Sequence, residues 1–405
     1  MTTVTIERLG HQGDGIAPGP VYVPRMLPGE VVEGEISGDR ISAPKIITPS
    51  SDRVKPACRH YAQCGGCSLQ HASDDFVANW KAGVVREALM ARGLGAEISA
   101  VHTSPAKSRR RAVLTGKRTK KGAMVGFHGA ASHVIVDVLD CQILQPAIAS
   151  LLPELRRLTV EFASRKGELR FVITSSDTGI DLLISGGKEL DLAMRGRLAE
   201  LSEQMDLARL VWEDEVIAQR RPPILNIGSA PVPLAPGGFL QATREGQTAL
   251  QAAVMQTVND ARSVVDLFSG CGTFALVAAE KAEVHAVDSV DDLLAALDAG
   301  WRHGTGLKQI TTENRDLFRR PMLSDELAKF DVAIIDPPRA GAEAQVVELA
   351  SSKIPTVASV SCNPVTFARD AEILVKAGYA ISNVQVVDQF RWSPHVEVTA
   401  CFSLQ

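Results

Sequence analysis

The sequence predicts a doubly wound α/β domain in its C-terminal part, preceded by a central α+β region and a small N-terminal β-barrel. Three observations predict the α/β class. The apolar strand 264–268 runs into the glycine turn 269–273 and then into a helix. A second buried strand ends at Asp336, where two prolines prevent further pairing. A third apolar run, 357–360, passes through Cys362 into another helix. Segments of this kind alternate with helices in open sheets.

Polar residues follow several of these strands. Asp288 ends the strand after the glycine turn, where a carboxylate can accept hydrogen bonds from a ribose diol. The turn is Gly-x-Gly only, because Ala275 stands where a nicotinamide dinucleotide would favour a third glycine. S-adenosylmethionine has no pyrophosphate and suits this turn better. Since ligands bind at the carboxyl ends of the strands, we expect Gly270, Asp288, Asp336 and Cys362 to meet there.

Cys362 lies where a buried strand meets a helix. Asn363 is a suitable N-cap residue and Pro364 fits the first turn. A helix N-terminus stabilises a thiolate, so the position predicts a nucleophile, with a small core residue as the alternative. If the final strand, 398–402, runs antiparallel, Glu397 lies near Cys362; otherwise Glu397 is a solvated carboxylate at a strand edge.

Five blocks together resemble the RNA uracil-5 methyltransferase family over essentially the whole chain. They are Gly238 to Gln241, Asp266 to Gly272, Asp336 to Gly341, Ser361 to Pro364 and His395 to Glu397. The resemblance implies a Rossmann-like S-adenosylmethionine methyltransferase domain with a parallel sheet and an antiparallel last strand. It implies that the cofactor pocket is lined by Gln241, Phe268, Thr273, Asp288, Asn314 and Asp336. Thr273 and Asp288 replace the Asn and Glu that the family often has.

The resemblance also assigns chemistry to Cys362 and Glu397. Carbon 5 of uracil is a poor nucleophile, so the Cys362 thiolate is expected to add to carbon 6 and generate an enolate. After methylation, Glu397 is expected to remove the surplus proton on carbon 5 and release the thiolate.

Four cysteines predict a metal or cluster site. Cys58, Cys64, Cys67 and Cys141 form a three-plus-one pattern, which suits a [4Fe–4S] cluster better than zinc. Family members with this Cys-Gly-Gly-Cys pattern have such a cluster. Unliganded cysteines are the alternative. The spacing differs from that of radical enzymes, so a structural cluster is expected.

A basic run predicts contact with nucleic acid, although the formal net charge is −4. Between residues 101 and 136 there are eight basic and no acidic residues: Lys107, Arg109, Arg110, Arg111, Lys117, Arg118, Lys120 and Lys121. Two strands around 119–122 make this a basic hairpin. It is interpreted as a groove for phosphates, with a solvated surface as the alternative.

The predicted domains are a barrel at 1–52, a central RNA-binding domain with the cluster at 53–240 and a methyltransferase domain at 241–405. The first resembles the TRAM module, an OB-like barrel, and either binds RNA or only stabilises the chain. The chain has no secretory signal and no apolar stretch of membrane length, so a cytoplasmic enzyme without membrane contact is expected, as a monomer.

The expected substrate is a uridine in a single-stranded loop of RNA, because a stacked base hides its ring. Family members with both a TRAM module and the cluster mainly modify 23S ribosomal RNA, which makes 23S rRNA the preferred substrate. Transfer RNA is the alternative within the family. A DNA or protein methyltransferase and a non-catalytic iron–sulfur RNA-binding protein are the alternatives outside it.

Overall fold

The N-terminal segment forms two small antiparallel sheets around one apolar core, in a computed structural model that describes residues 1–405. Its strands are β1 (Thr2–Thr5), β2 (Arg8–Leu9), β3 (Gly15–Ala17), β4 (Val21–Val23), β5 (Val31–Gly34) and β6 (Lys45–Thr48). The sheets have the orders β1-β5-β6 and β2-β3-β4, and Ile6, Val23, Val32 and Ile41 lie in their common core. One isolated parallel bridge joins Tyr22 of β4 to Arg40, which lies in the loop between β5 and β6. A closed OB-like barrel therefore stays a prediction.

The next part of the chain contributes most of a seven-stranded sheet. The elements are α1 (Asp74–Met90), β7 (Ile98–Thr103), β8 (Arg111–Thr119), β9 (Gly122–His128), β10 (Ile135–Asp137), α2 (Pro146–Ala149), α3 (Leu152–Phe162), β11 (Glu168–Ser176), β12 (Gly179–Ser185), α4 (Leu192–Gln204), β13 (Arg209–Trp212) and β14 (Glu215–Gln219). The sheet order is β10-β9-β8-β11-β12-β13-β14. The predicted hairpin is present as β8 and β9, which pair in antiparallel register up to Thr119 and Gly122. Helix α4 begins after the N-cap Asp191, as its sequence predicts.

The C-terminal part builds an eight-stranded sheet with helices on both faces. Its elements are β15 (Ile224–Ile227), β16 (Ala230–Pro233), α5 (Arg244–Val258), β17 (Ser263–Leu267), α6 (Ala275–Ala278), β18 (Glu283–Asp288), α7 (Asp291–His303), β19 (Ile310–Asn314), α8 (Ser324–Leu327), β20 (Val332–Ile335), α9 (Glu343–Ser352), β21 (Thr356–Ser361), α10 (Pro364–Lys376), β22 (Tyr379–Asp388) and β23 (Glu397–Leu404). None of the helices in the chain combines the length and apolarity needed to cross a bilayer.

The order of this sheet is β19-β18-β17-β20-β21-β23-β22-β7. The five strands from β19 to β21 are parallel, and their apolar side chains fill two buried cores, one on each face. Strand β23 is antiparallel to β21, with Ser361 opposite Val398. The predicted α/β class and antiparallel last strand are confirmed. Glu397 consequently begins β23 at the sheet edge where β21 ends.

Strand β7 belongs to this eight-stranded sheet and helix α1 packs on it, although the predicted domain boundaries placed both in the central domain. Strand β7 pairs in parallel with β22 at the sheet edge. Val85 and Leu89 of α1 lie in the same buried core as Phe367 of α10. Local sequence gave no sign of this pairing, because β7 meets a strand about 285 residues further along the chain.

A buried ion pair fixes α1 to the end of β22. The Lys81 Nζ atom lies 2.6 Å from Asp388 Oδ1, and both side chains are fully buried. Lys81 also donates a hydrogen bond of 3.3 Å to the carbonyl of Phe390. Removing one partner of such a pair leaves an uncompensated buried charge, so the pair constrains where α1 can lie.

Candidate active site

The glycine turn after β17 lies at the carboxyl edge of the sheet, as predicted. Phe268, Gly270 and Gly272 all have positive φ angles, of 63°, 55° and 91°. A Cβ atom on Gly272 would lie 2.8 Å from Cγ of Leu297, so the turn has no room for a side chain there. The turn therefore exposes backbone at a point where a ligand can approach closely.

Two predicted cofactor residues end neighbouring strands beside this turn. Asp288 and Asn314 face each other in the register of β18 and β19. Asp288 Oδ2 accepts a 2.9 Å hydrogen bond from the N–H of Gly270, so this carboxylate also fixes the turn. Asn314 Nδ2 donates to Asp291 Oδ1 at 2.6 Å. Both side chains thus sit at the edge where the sequence expected a ribose.

Phe268 and Thr273 lie on the turn itself. The Phe268 ring packs against Phe318 with 5.4 Å between ring centroids. The Thr273 carbonyl accepts a 2.8 Å hydrogen bond from Gln251 on α5, which ties the turn to that helix. Thr273 thus contributes a backbone contact to the architecture of the turn.

Asp266 is a residue that sequence reasoning did not single out. It is fully buried under the turn, and neither of its carboxylate oxygens has a hydrogen-bond partner. Burial, together with the nearby Asp336, raises its pKa well above the ordinary value. The buried Ser269 hydroxyl beside it also has no partner. The sequence signal that could have identified Asp266 is the presence of a carboxylate within the otherwise apolar run 264–267.

Gln241 connects the cofactor edge to the segment that leads into β23. It is buried, and its Oε1 accepts a 2.6 Å hydrogen bond from Gln389 Nε2. Gln389 Oε1 accepts in turn from the backbone of Ala242 at 2.8 Å. Arg110 donates to the Gln241 carbonyl at 3.0 Å. The predicted cofactor residue therefore lies in a buried network that ends eight residues before Glu397.

Cys362 and Glu397 face each other across the edge of β21 and β23. The antiparallel register pairs Ser361 with Val398, so Cys362, which follows Ser361, lies opposite Glu397, which precedes Val398. Asn363 caps α10 by accepting from the N–H of Val365 at 3.1 Å, as predicted. Its Nδ2 donates to the Arg339 carbonyl at 2.9 Å, which joins the Asp336 loop to the cysteine turn.

The electrostatics of this group differ from the expectation for Cys362. Burial, with Glu397 and Asp336 adding to it, raises the pKa of the thiol to about 11, and the helix N-terminus does not overcome this. Burial also raises the pKa of Glu397 to about 8 and that of Asp336 to about 7. The Arg339 guanidinium opposes the rise in pKa at both Cys362 and Glu397 but does not cancel it. Burial therefore opposes the thiolate form of Cys362, and its role as nucleophile stays a prediction.

A groove of about 1140 Å³ opens at Cys362. Its walls come from the N-terminal segment, helix α1, the loop that contains His395 and the segment 58–69, which we call the cysteine-rich loop. His395 packs edge-on against Phe390, with 5.6 Å between ring centroids. The groove is larger than the roughly 300–1,000 Å³ typical of small-molecule pockets, so it suits a macromolecular substrate.

The basic run contributes less to an open surface than its sequence suggested. Arg110 is buried and donates to Gln241 and Gln247, and Arg111 donates to the Gly237 carbonyl. Lys117 pairs with Glu168 at 2.8 Å. These internal partners come from distant parts of the chain. Arg110, Arg111 and Lys117 are therefore engaged by the fold, whereas Lys107, Lys120 and Lys121 are exposed, and a phosphate groove along the run stays a prediction. The groove at Cys362 is built from other segments.

The four clustered cysteines line one small cavity. Cys58, Cys64, Cys67 and Cys141 surround it together with apolar residues such as Phe127. No three His, Cys, Asp or Glu side chains are close enough to hold a single metal ion. The N–H of Gly66 points at Cys64 Sγ at 3.4 Å, and Gly65 approaches the backbone of residues 128–130 too closely to carry a Cβ. The structure brings the cysteines together, and the cluster stays a prediction.

The cysteine-rich loop contacts the loop before Glu397 directly. The N–H groups of Ser68 and Leu69 both donate to the carbonyl of Trp392, at 2.7 and 3.0 Å. Arg109, next to the cysteines, lies over the Phe390 ring at 5.5 Å. These contacts connect the cysteine cavity to the loop that leads to Glu397.

Comparison with known proteins identifies the family. The model described as tRNA (Uracil-5-)-methyltransferase matches residues 303–403. An uncharacterized RNA methyltransferase of Brucella suis biovar 1 (strain 1330) is 44% identical over 98% of this chain and 96% of its own length. The 23S rRNA (uracil(1939)-C(5))-methyltransferase RlmD of Shewanella piezotolerans is 30% identical over 99% of this chain and 95% of its own. The chain belongs to the RNA uracil-5 methyltransferase family.

The fold of this methyltransferase also matches a solved structure. The tRNA (uracil-54, C5)-methyltransferase of Pyrococcus abyssi, in complex with S-adenosyl-L-homocysteine, superimposes with a TM-score of 0.79 and 22% identity, over 99% of this chain and all of that one. The predicted Rossmann-like methyltransferase fold is confirmed. The roles of the individual site residues stay predictions.

We expect the stability of this methyltransferase to fall as pH rises from about 5 to about 8. The folded-state pKa of Glu397 is raised from 4.5 to about 8, so the folded chain keeps a proton that the unfolded chain releases. The resulting stabilisation is complete below the unfolded pKa and is lost as pH rises through the folded one, at about 1.4 kcal/mol per pKa unit.

Urea unfolding of the wild type and of Glu397→Gln at several pH values tests this expectation. The glutamine cannot release a proton, so the free energy of unfolding of the variant should fall less steeply over the same range. Equal slopes in the two chains would contradict the raised pKa.

Proposed function

We propose that this enzyme methylates carbon 5 of a specific uridine in 23S rRNA, through a covalent adduct with Cys362 and with Glu397 as the base. The opposition of the buried Glu397 to Cys362, which itself lines a large groove, carries the proposal. A thiol and a carboxylate in one buried group are the two functions that activation of carbon 5 requires.

S-adenosylmethionine fits the carboxyl edge of the sheet. It would be held by the glycine turn and by Gln241, Phe268, Thr273, Asp288, Asn314 and Asp336. The unpartnered Asp266 and Ser269 beneath the turn support a polar ligand at this place. When bound, S-adenosylmethionine supplies an electrophilic methyl group on a sulfonium.

Cys362 is proposed to activate the uracil ring. Its thiolate forms a bond to carbon 6, the C5–C6 double bond opens, and the electron pair moves into an enolate that makes carbon 5 nucleophilic. Burial raises the pKa of this thiol to about 11, so the thiol proton must pass to solvent before the sulfur attacks, and the thiolate that leaves at the end of the cycle takes a proton back.

Glu397 is proposed to complete the cycle. After carbon 5 has been methylated, the carboxylate takes the proton on that carbon, the C5–C6 double bond re-forms, and the Cys362 thiolate leaves. The thiolate is regenerated, so each turnover releases one proton through Glu397. A base pKa of about 8 lies near neutral pH, where general-base catalysis is efficient.

The similarity to the 23S rRNA enzyme of Shewanella piezotolerans, over nearly the whole of both chains, supports ribosomal RNA as the substrate. The structural likeness to a tRNA methyltransferase keeps transfer RNA as the second candidate. In both cases the target uridine must leave its stack to reach Cys362.

We also propose that Cys58, Cys64, Cys67 and Cys141 hold a [4Fe–4S] cluster with a structural role. All four line one cavity with apolar walls, and the Gly66 N–H is aimed at a sulfur, as at iron–sulfur sites. A tetrahedral zinc ion would need thiolates about 3.8 Å apart. The absence of any single-ion group among these residues is compatible with the wider ligand set of a cluster.

Glu397→Gln is expected to trap the adduct. With the base removed, the methylated intermediate cannot lose its proton, so a covalent RNA–protein species should accumulate while turnover falls by about 10²–10⁴-fold. Denaturing gel electrophoresis after incubation with rRNA and S-adenosylmethionine detects it.

Two controls define this result. The double variant Cys362→Ala/Glu397→Gln should form no adduct, whereas Cys401→Ala, which changes another half-buried cysteine, should methylate normally. Substantial methylation by Cys362→Ala would contradict its role as nucleophile.

The substrate can be assigned by mass mapping of 5-methyluridine in cells that lack this protein. We expect one 5-methyluridine to disappear from 23S rRNA and to return with the wild-type gene but not with Cys362→Ala. Loss of 5-methyluridine from tRNA with unchanged rRNA would favour the second candidate.

Anaerobically purified protein is expected to contain about four iron and four sulfide per chain, with broad visible absorbance. Cys141→Ser should lower the iron content, whereas Cys271→Ser, at a buried cysteine elsewhere, should not. Stoichiometric zinc in place of iron would overturn the cluster assignment.

A further inference from the structure

Helix α1 has two faces, of which one is buried and the other is only partly covered. Val77, Lys81, Val85 and Leu89 are buried against the catalytic sheet and its surroundings. The other face is formed by Phe76, Asn79, Trp80, Gly83, Val84, Glu87 and Ala88, and all seven residues line the groove that opens at Cys362. We call this second face the groove face of α1.

The groove face has a rigid aromatic support. Phe76 and Trp80 are half-buried and pack against a small apolar core that contains Leu9, Leu27 and Leu69. This core joins α1 to the N-terminal segment and to the cysteine-rich loop. Because one side of the Trp80 side chain rests on packed residues while the residue also lines the groove, its indole can act as a fixed platform.

The rest of the groove is lined by polar side chains and by charged side chains of both signs. Arg8 and Arg339 line it together with Glu7 and Glu87, so its formal charges balance. Gln12, Asn79 and Asn363 add groups that can both donate and accept hydrogen bonds. A surface of this kind favours stacking and hydrogen bonding to bases over a simple attraction to phosphates.

The groove face of α1 and Cys362 line the same groove, and this indicates which molecule occupies it. Cys362, Asn363 and Val365 lie in the same groove as Trp80, so a chain whose uridine reaches Cys362 must pass the groove face. The groove volume of about 1140 Å³ has room beyond the target base. Unpaired bases stack on aromatic side chains, whereas the bases of a duplex are already stacked on each other.

We propose that the groove face of α1 binds the single-stranded nucleotides next to the target uridine, with Trp80 as the stacking platform for one base. This inference rests on the proposed function, because it takes RNA as the substrate. It assigns recognition to α1 and the N-terminal segment rather than to the basic hairpin of β8 and β9.

Gly83 allows a test that spares the packing of Trp80. A Cβ at Gly83 would meet nothing within 4 Å, and the same is true of Gly196, an exposed helical glycine in α4 outside the groove. Leucine at either position favours the helix. Gly83→Leu places a bulky side chain in the groove, and Gly196→Leu is the matched control.

The experiment measures fluorescence anisotropy of a labelled ten-nucleotide oligouridylate with the full chain. Stacking on one aromatic side chain corresponds to about 5–150-fold in affinity, so Trp80→Ala should bind at least about fivefold more weakly, and Trp80→Phe should restore most of the affinity. Gly83→Leu should also weaken binding by at least about fivefold, and Gly196→Leu should bind as the wild type does.

The outcomes separate this inference from the proposed function. Wild-type affinity in both Trp80→Ala and Gly83→Leu would overturn the stacking platform, even if the enzyme methylates RNA. Binding that depends on Trp80, in a wild-type enzyme that transfers no methyl group to RNA, would overturn the proposed function and leave the platform intact. Failure of the wild type to bind the oligouridylate would overturn the inference.

Discussion

The buried ion pair between Lys81 and Asp388 holds the candidate active site in its observed arrangement. Both charges are fully removed from water, a state that persists only while each has the other as partner. Burial lowers the pKa of Lys81, and the Asp388 carboxylate opposes that shift only in part. The pair joins the helix that lines the groove to the strand end from which the catalytic loop departs. The pair is thereby one of the contacts that fix the groove face of α1 relative to the loop that leads to Glu397.

The loop between β22 and β23 is held from several directions. Gln389 bonds to Gln241 at the cofactor edge, and the Trp392 carbonyl accepts from the cysteine-rich loop. Arg391 reaches Asp74 at the start of α1 and the Ser104 carbonyl. These contacts fix the position of the loop that leads to Glu397, and one of them joins that loop to the cysteine-rich loop.

Local sequence predicted the features that depend on neighbouring residues. The glycine turn, the cap at Asn363 and the Asp-Pro-Pro stop follow from short motifs, and the structure has each of them. The antiparallel direction of β23 came from the family resemblance, and the structure has it too. Other features depend on partners that no local pattern reveals. Strand β7 was missed because β22 is distant, and the basic run is less open than its sequence suggested because Arg110 and Lys117 find internal partners. The raised pKa of Cys362 depends on burial and, to a smaller extent, on Glu397 and Asp336, all of which result from the fold.

The edge strand β7 has a consequence for synthesis on the ribosome. Its residues are translated early, but Val384 of β22, whose carbonyl accepts from Ser99, follows 285 residues later. At about 5–20 residues per second, β7 and α1 wait for many seconds without their sheet. The central sheet can form meanwhile, since its strands lie between them in the chain. Nascent chains that stop before β22 therefore lack a complete catalytic sheet, and a partly synthesised enzyme cannot modify the RNA around it.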